Sequence, residues 1–357
     1  MQIKAFGTKD PAGLAFAGDW LFSSPFTAAG SFETQTDGAL AAMKVAASDS
    51  GFEPSGYVKC DVLLKDLGNK EAVIAAYRRV IGEELPAFRF IEEKRLPDDA
   101  LISLELVAVK GESANDIRRC RFEGEELPCI VRAGDYAFTS LVLPAVHGAL
   151  AEEAASAIER LKKAVTLVGG SEENFVKNFI HLIDCGNFNA FNEVYAQTFM
   201  SVAQPPARSL HGVAKLESDF SLAVEGIAYF GDRKETVKLG EESGSLPFCK
   251  AIRAGQFLFV SGQVGVMSPG GGYNLLLKAQ IPCMLGILDA IAAAGGVLPR
   301  DYVKVTTFAR KLKSEEAYMK AFAARYPDTP TALSFYEVTG LAHPAIQIES
   351  DIVGYYS

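Results

Sequence analysis

Several things are scarce in this 357-residue chain, and each scarcity excludes something. The six cysteines (Cys60, Cys120, Cys129, Cys185, Cys249 and Cys283) form no C-x-x-C pair. That spacing supports neither a disulfide framework nor a zinc ribbon, and reduced, mostly buried thiols are expected. The four histidines (His147, His181, His211 and His343) stand far apart with no H-x-x-x-H spacing, so no metal is expected. No apolar run reaches the ~18 residues of a membrane span. The opening Met1-Gln2-Ile3-Lys4-Ala5-Phe6-Gly7 lacks a secretory apolar core. The expected location is cytoplasmic, with no membrane partner. Lys and Arg number 35 against 44 Asp and Glu, a net charge of −9. Nucleic-acid binders carry a basic stripe, so no nucleic acid is expected. There is no G-x-S-x-G elbow. Pro269-Gly270-Gly271-Gly272 lacks the lysine of a phosphate-cradling loop, and no cofactor is expected.

What is present is a threefold repetition. Ala17-Gly18-Asp19-Trp20-Leu21-Phe22 returns as Ala133-Gly134-Asp135-Tyr136-Ala137-Phe138 and as Ala254-Gly255-Gln256-Phe257-Leu258-Phe259. Tyr57-Val58-Lys59 returns as Phe175-Val176-Lys177 and Tyr302-Val303-Lys304. A strand glutamate closes each copy: Glu105, Glu225 and Glu349. The period of about 120 residues exceeds a solenoid unit of roughly 20–50 and suits a small domain. Boundaries are expected at 1–112, 113–232 and 233–357.

Each copy reads as a strand pair, an amphipathic helix, a strand, a second helix and a last strand, β-β-α-β-α-β, with room for an extra strand before the last. In copy two, Glu152 to Val168 sets Ala155, Ile158, Leu161, Ala164 and Val165 at helical spacing. Gly51, Gly169-Gly170 and Gly295-Gly296 are expected to end the first helices. The fold class is α/β (α+β). The helices cover one sheet face, and the bare faces can bury one another around a pseudo-threefold axis.

Local text carries a resemblance. Phe259-Val260-Ser261-Gly262-Gln263, Ala293-Ala294-Gly295-Gly296, Asp301-Tyr302-Val303-Lys304, Phe191-Asn192-Glu193-Val194-Tyr195 and Pro206-Ala207-Arg208-Ser209 resemble motifs of the RidA/YjgF-like family of reactive enamine/imine deaminases. Copy one matches more weakly, through Lys65-Asp66-Leu67, Tyr77 and Arg95-Leu96-Pro97. The resemblance implies three chorismate-mutase-like domains fused into a self-contained pseudo-trimer. It leaves open whether two such chains pair. It implies sites in the clefts between neighbouring domains. There the P-A-R-S arginine holds the carboxylate of a small molecule, and a last-strand glutamate orients water.

The copies differ at these positions. Arg208 corresponds to Phe88 in copy one and to about Ala332 in copy three, and Asn192 corresponds to Ile74 and Glu315. The glutamate position, two before the shared strand acid, reads Ser103, Ala223 and Gln347. One cleft is therefore expected to bind substrate, through Arg208, Asn192 and Ser209 against copy three's Phe248, Ser261 and Gly262. Gln347 is the candidate for positioning water, and the shared acids are expected near the axis. The expected function is water addition to an imine-like carbon of a carboxylate-bearing substrate. Two alternatives stand beside it: a non-catalytic ligand-binding or scaffold pseudo-trimer, and a chorismatase-like hydrolase.

Overall fold

In the computed structural model, residues 13–239, 246–267, 271–327, 329 and 331–356 are described. The glycine-rich stretch lies partly outside this set. In the first unit the sheet order is Leu14–Ala17, Trp20–Ser23, Ile102–Val109, Tyr57–Leu64, Ala87–Glu92. The last two strands are parallel and the rest antiparallel. A parallel pair needs a crossover, here supplied by helix Lys70–Val80. The second sheet repeats this order with Ile117–Cys120 added at its edge, and the third adds Lys234–Thr236 and Gln263–Val264. The extra strand before the last is present in every unit: Ala87–Glu92, Ala207–Gly212 and Ala332–Glu337.

The helices end alike. Gly51, Gly169 and Gly296 sit at φ +78°, +87° and +81°. The following N–H groups of Phe52, Gly170 and Val297 bond carbonyls five residues back, at Ala47, Val165 and Ala292. That is the glycine-dependent helix stop expected of a left-handed C-terminal residue. Helix Leu150–Thr166 starts two residues earlier than the sequence pattern indicated, and it buries Ala154 and Ala157 while Ala155 faces solvent. Helix Leu277–Ala294 has the length and hydropathy of a bilayer-crossing segment. Its Ile281, Met284, Leu285, Leu288 and Ile291 pack into the third unit's core, which accounts for that character.

Each unit has its own core between sheet and helices. A fourth apolar cluster draws on all three bare sheet faces. At its centre the corresponding aromatics Trp20, Tyr136 and Phe257 meet around the axis, with ring centroids 5.3, 5.3 and 6.1 Å apart. Such offset and edge-to-face contacts are favoured ring geometries. Deeper along the axis the repeated lysines cross from unit to unit. Lys59 donates to Glu225, Lys177 to Asp351 at 3.0 Å, and Lys304 to Glu105 at 2.6 Å. Each also donates to a front-strand carbonyl of the next unit: Thr139, Val260 and Ser23. Together with Arg89 and Asp61 these groups line a cavity of about 80 Å³. Burial alone would push the Glu225 carboxyl up, but Lys59, Arg89 and His181 hold it well below the usual range.

Candidate active site

The axial pairing corrects the repeat register. Lys59, Lys177 and Lys304 are equivalent, and the residues two further on, Asp61, Phe179 and Thr306, pair across the sheet with Glu105, Glu225 and Asp351. The shared acid of the third unit is thus Asp351. Glu349 lies two residues earlier, level with Ser103 and Ala223. The same strand geometry makes Leu333, not Ala332, the counterpart of Arg208 and Phe88, because Lys59, Lys177 and Lys304 face Ala87, Ala207 and Ala332.

Strand Ala207–Gly212 of the second unit abuts the front strand of the third. The Arg208 N–H donates to Ser261 Oγ at 2.7 Å, and the Gly262 N–H donates to the Arg208 carbonyl at 3.0 Å. This clasp holds Arg208 at the seam. Its Nη1 donates to Asn192 Oδ1 at 2.7 Å, from helix Phe188–Phe199. The guanidinium lies 4.1 Å from the Phe248 ring centroid, 4.9 Å from Tyr195 and 5.8 Å from Phe188. Arginine suits such an aromatic cage because its planar cation stacks and is weakly hydrated. Burial lowers its pKa from the ordinary value, and Tyr195 and Glu349 oppose that shift. Arg208, Asn192, Phe248, Ser261 and Gly262 are therefore together at the seam between the second and third units.

Two other sequence candidates are elsewhere. Successive strand residues face opposite ways, so Ser209 turns from Arg208 toward the axis. There it donates to Asp351 at 2.6 Å and accepts from Lys177 at 2.8 Å. Gln347 donates its amide to the Leu275 carbonyl and lines a hollow with Arg310, Lys311 and Ser314. The expectation that it serves the Arg208 cleft followed from taking Glu349 as the shared acid, and the strand pairing removes that premise.

The residue sequence reasoning missed is Glu349. It is fully buried against Gly262: a β-carbon built on Gly262 would fall 1.9 Å from Glu349 Oε1. The Leu210 N–H donates to this carboxyl, and Arg208 acts on it electrostatically. Burial, reinforced by Asp351 and opposed by Lys177, raises its pKa to about 8. It is therefore mostly protonated at neutral pH. The Cys185 thiol stands nearby, pushed up to about 12 by burial and by Glu349. The readable signal was a doubled acid: the third last strand carries Glu349 and Asp351 where each of the others carries one. Among the described residues no cluster of His, Cys, Asp and Glu could hold a metal ion.

The family model for Endoribonuclease L-PSP matches residues 128–230 and 243–355. The chain belongs to this family, which includes RidA and YjgF. The first unit lies outside both matches, yet it has the family sheet order. Two curated relatives match about a quarter of the chain. A human 2-iminobutanoate/2-iminopropanoate deaminase is 35% identical over 86 residues, covering 24% of this chain and 61% of that protein. Protein MMF1, mitochondrial, of Saccharomyces cerevisiae is 33% identical over 104 residues, covering 28% of this chain and 70% of its own length. The chain thus spans less than two thirds of the human relative. A chorismatase crystal structure superposes with TM-score 0.60 at 12% identity, covering 84% of this chain and 93% of that one, which shows a shared fold. The seam between the second and third units carries both Arg208 and Glu349, both buried.

Proposed function

We propose that the cleft between the second and third units hydrolyses the C=N bond of a small carboxylate-bearing imine. The observation that carries this reading is a Glu349 carboxyl buried against Gly262, at the seam that holds the caged Arg208. Arg208 binds the substrate carboxylate, with Asn192 fixing the guanidinium and Phe248 covering its face. Glu349 gives its proton to the imine nitrogen, which makes the carbon electrophilic. The resulting carboxylate takes a proton from an attacking water as the new C–O bond forms. Returning that proton to the amine lets the C–N bond break while the Glu349 carboxylate takes the hydroxyl proton, so the products are ammonia and a 2-oxo acid and the carboxyl is protonated again. A group that gives and then takes a proton works best with a pKa near the working pH, and burial supplies that here.

The relatives named as 2-iminobutanoate/2-iminopropanoate deaminases support this substrate class. A purely scaffolding role gives no reason to keep Arg208 and Glu349 in the same cleft. The test is ammonia release from freshly generated 2-imino acids. Acceleration by the wild-type chain is expected, with loss in Arg208→Ala and in Glu349→Gln. No acceleration over buffer by the folded wild-type protein would sink the reading.

A further inference from the structure

The cleft between the first and second units is the counterpart of the Arg208 cleft, and it keeps the same clasp. The Phe88 N–H donates to Ser140 Oγ at 2.8 Å, and the Leu141 N–H donates to the Phe88 carbonyl at 2.8 Å. The cleft encloses about 360 Å³, within the roughly 300–1,000 Å³ of small-molecule sites. Its chemistry is inverted. Phe88 replaces Arg208, Ile74 replaces Asn192, Leu141 replaces Gly262 and Leu127 replaces Phe248. Ala223 stands level with Glu349, so the acid is gone as well.

The walls combine apolar and aromatic side chains with a charged rim. Phe88 packs on Phe90 with centroids 5.1 Å apart, and Phe122 closes the far side beneath the Arg160 guanidinium. Both cations lining the mouth are already paired, Lys70 with Glu217 at 2.6 Å and Arg160 with Glu125. Glu71 and Glu126 add negative charge at the rim. An anion would meet the acidic rim and two cations that are already paired, whereas an uncharged ring would meet the apolar side chains of Ile74, Phe88, Leu127, Leu141 and Val142. Ser140 is satisfied internally, accepting from Phe88 and donating to the Pro128 carbonyl. Ser140 therefore imposes no polar match on a ligand.

We infer that this cleft is a second small-molecule site, built for an uncharged planar aromatic ligand and independent of the chemistry proposed for Arg208. The probe is 2-naphthol, titrated by its own fluorescence against the full chain. Saturable 1:1 binding is expected. Leu141→Trp and, separately, Leu127→Trp should each weaken it at least about tenfold by filling the cleft. Both wild-type side chains are only half-buried, so either variant keeps the test open if the other fails to fold. Arg208→Ala should leave the affinity unchanged. In that background 2-naphthoate should bind at least about tenfold more weakly than 2-naphthol, because its carboxylate faces the acidic rim. Absence of saturable binding up to about 1 mM, indifference to both tryptophan variants, or loss of binding in Arg208→Ala would each overturn the inference.

Discussion

Gly262→Ala is the smallest change that tests how the Arg208 cleft is built. The new methyl carbon would fall 1.9 Å from Glu349 Oε1, 2.6 Å from Cδ and 3.0 Å from Cγ, with the two carboxyl atoms inside the range that real contacts avoid. Relief needs the carboxyl to move by roughly 1 Å, in a region packed at interior density. Overpacking of this kind costs about 1–3 kcal/mol. Moving the carboxyl also strains its bond from the Leu210 N–H. The repeats contain the compensated versions already. Leu141 stands opposite Ala223 in one apolar cluster, and Pro25 occurs with Ser103. Glu349→Ala should therefore rescue Gly262→Ala. In a double-mutant cycle read by urea unfolding, the double variant should be more stable than the sum of the singles predicts, by about 1–3 kcal/mol. Additivity within about 0.5 kcal/mol would refute the claim that the two side chains compete for one space. Gly262→Ala should also lose imine hydrolysis while remaining folded.

Three further outcomes follow from the same geometry. The pKa of Glu349 is raised in the folded state, to about 8 from 4.5. Its stabilising contribution is full below pH 4.5 and is lost as the pH rises toward 8. Relative to Glu349→Gln, wild type should lose stability across that window and show a flat difference above it. The kcat/KM profile should fall on the alkaline side with a midpoint near 8, and a profile flat through pH 9 would contradict the proton-donor role. Arg208→Lys keeps the charge but loses the planar fork that stacks on Phe248, so kcat/KM should drop at least about tenfold, or ~1.4 kcal/mol; wild-type rates would remove the need for a guanidinium. Lys177→Met leaves Asp351 buried with its charge uncompensated and should cost about 3–5 kcal/mol in urea unfolding. Lys177→Met with Asp351→Leu should recover most of that loss, and a single variant within about 1 kcal/mol of wild type would remove the axial pair from the stability argument.

Much of this was legible because repetition multiplies weak signals. Three copies of a turn, a helix stop and a strand lysine establish the unit, and the bare sheet faces require the axis. The Arg208 cluster was readable because its members lie in short motifs at clasped backbone positions. Glu349 was not, because the third unit exchanged glutamate for aspartate at the axis and placed a second acid two residues earlier. Aligning like with like then shifted the register by two, which keeps the face but moves the site by two residues. The Ala332 assignment slipped by one, and a one-residue slip on a strand reverses the face. Ser209 shows the same alternation: adjacency in sequence to Arg208 placed it on the opposite side of the sheet. The cage of Tyr195 and Phe188 depended on helix packing that no local pattern encodes.

Arg89 shows what joining the three units into one chain permits. Its counterparts are Ser209 and Ser334. In an assembly of identical subunits a substitution is written at all three stations at once. An arginine here would then bring three guanidiniums into a space of about 80 Å³, and their mutual repulsion would oppose assembly. In the tandem chain it is written once, balanced by Asp61 and Glu225. The His181–His211 pair is likewise written once, and Leu63, Ile91, Phe308 and Tyr336 occupy the matching places. Each seam has become a separate variable: one holds Arg208 and Glu349 while its neighbour holds Phe88 and Ala223, and neither change is copied to the other. The same covalent link makes the assembly insensitive to dilution, so the three units stay together at concentrations where separate subunits would part.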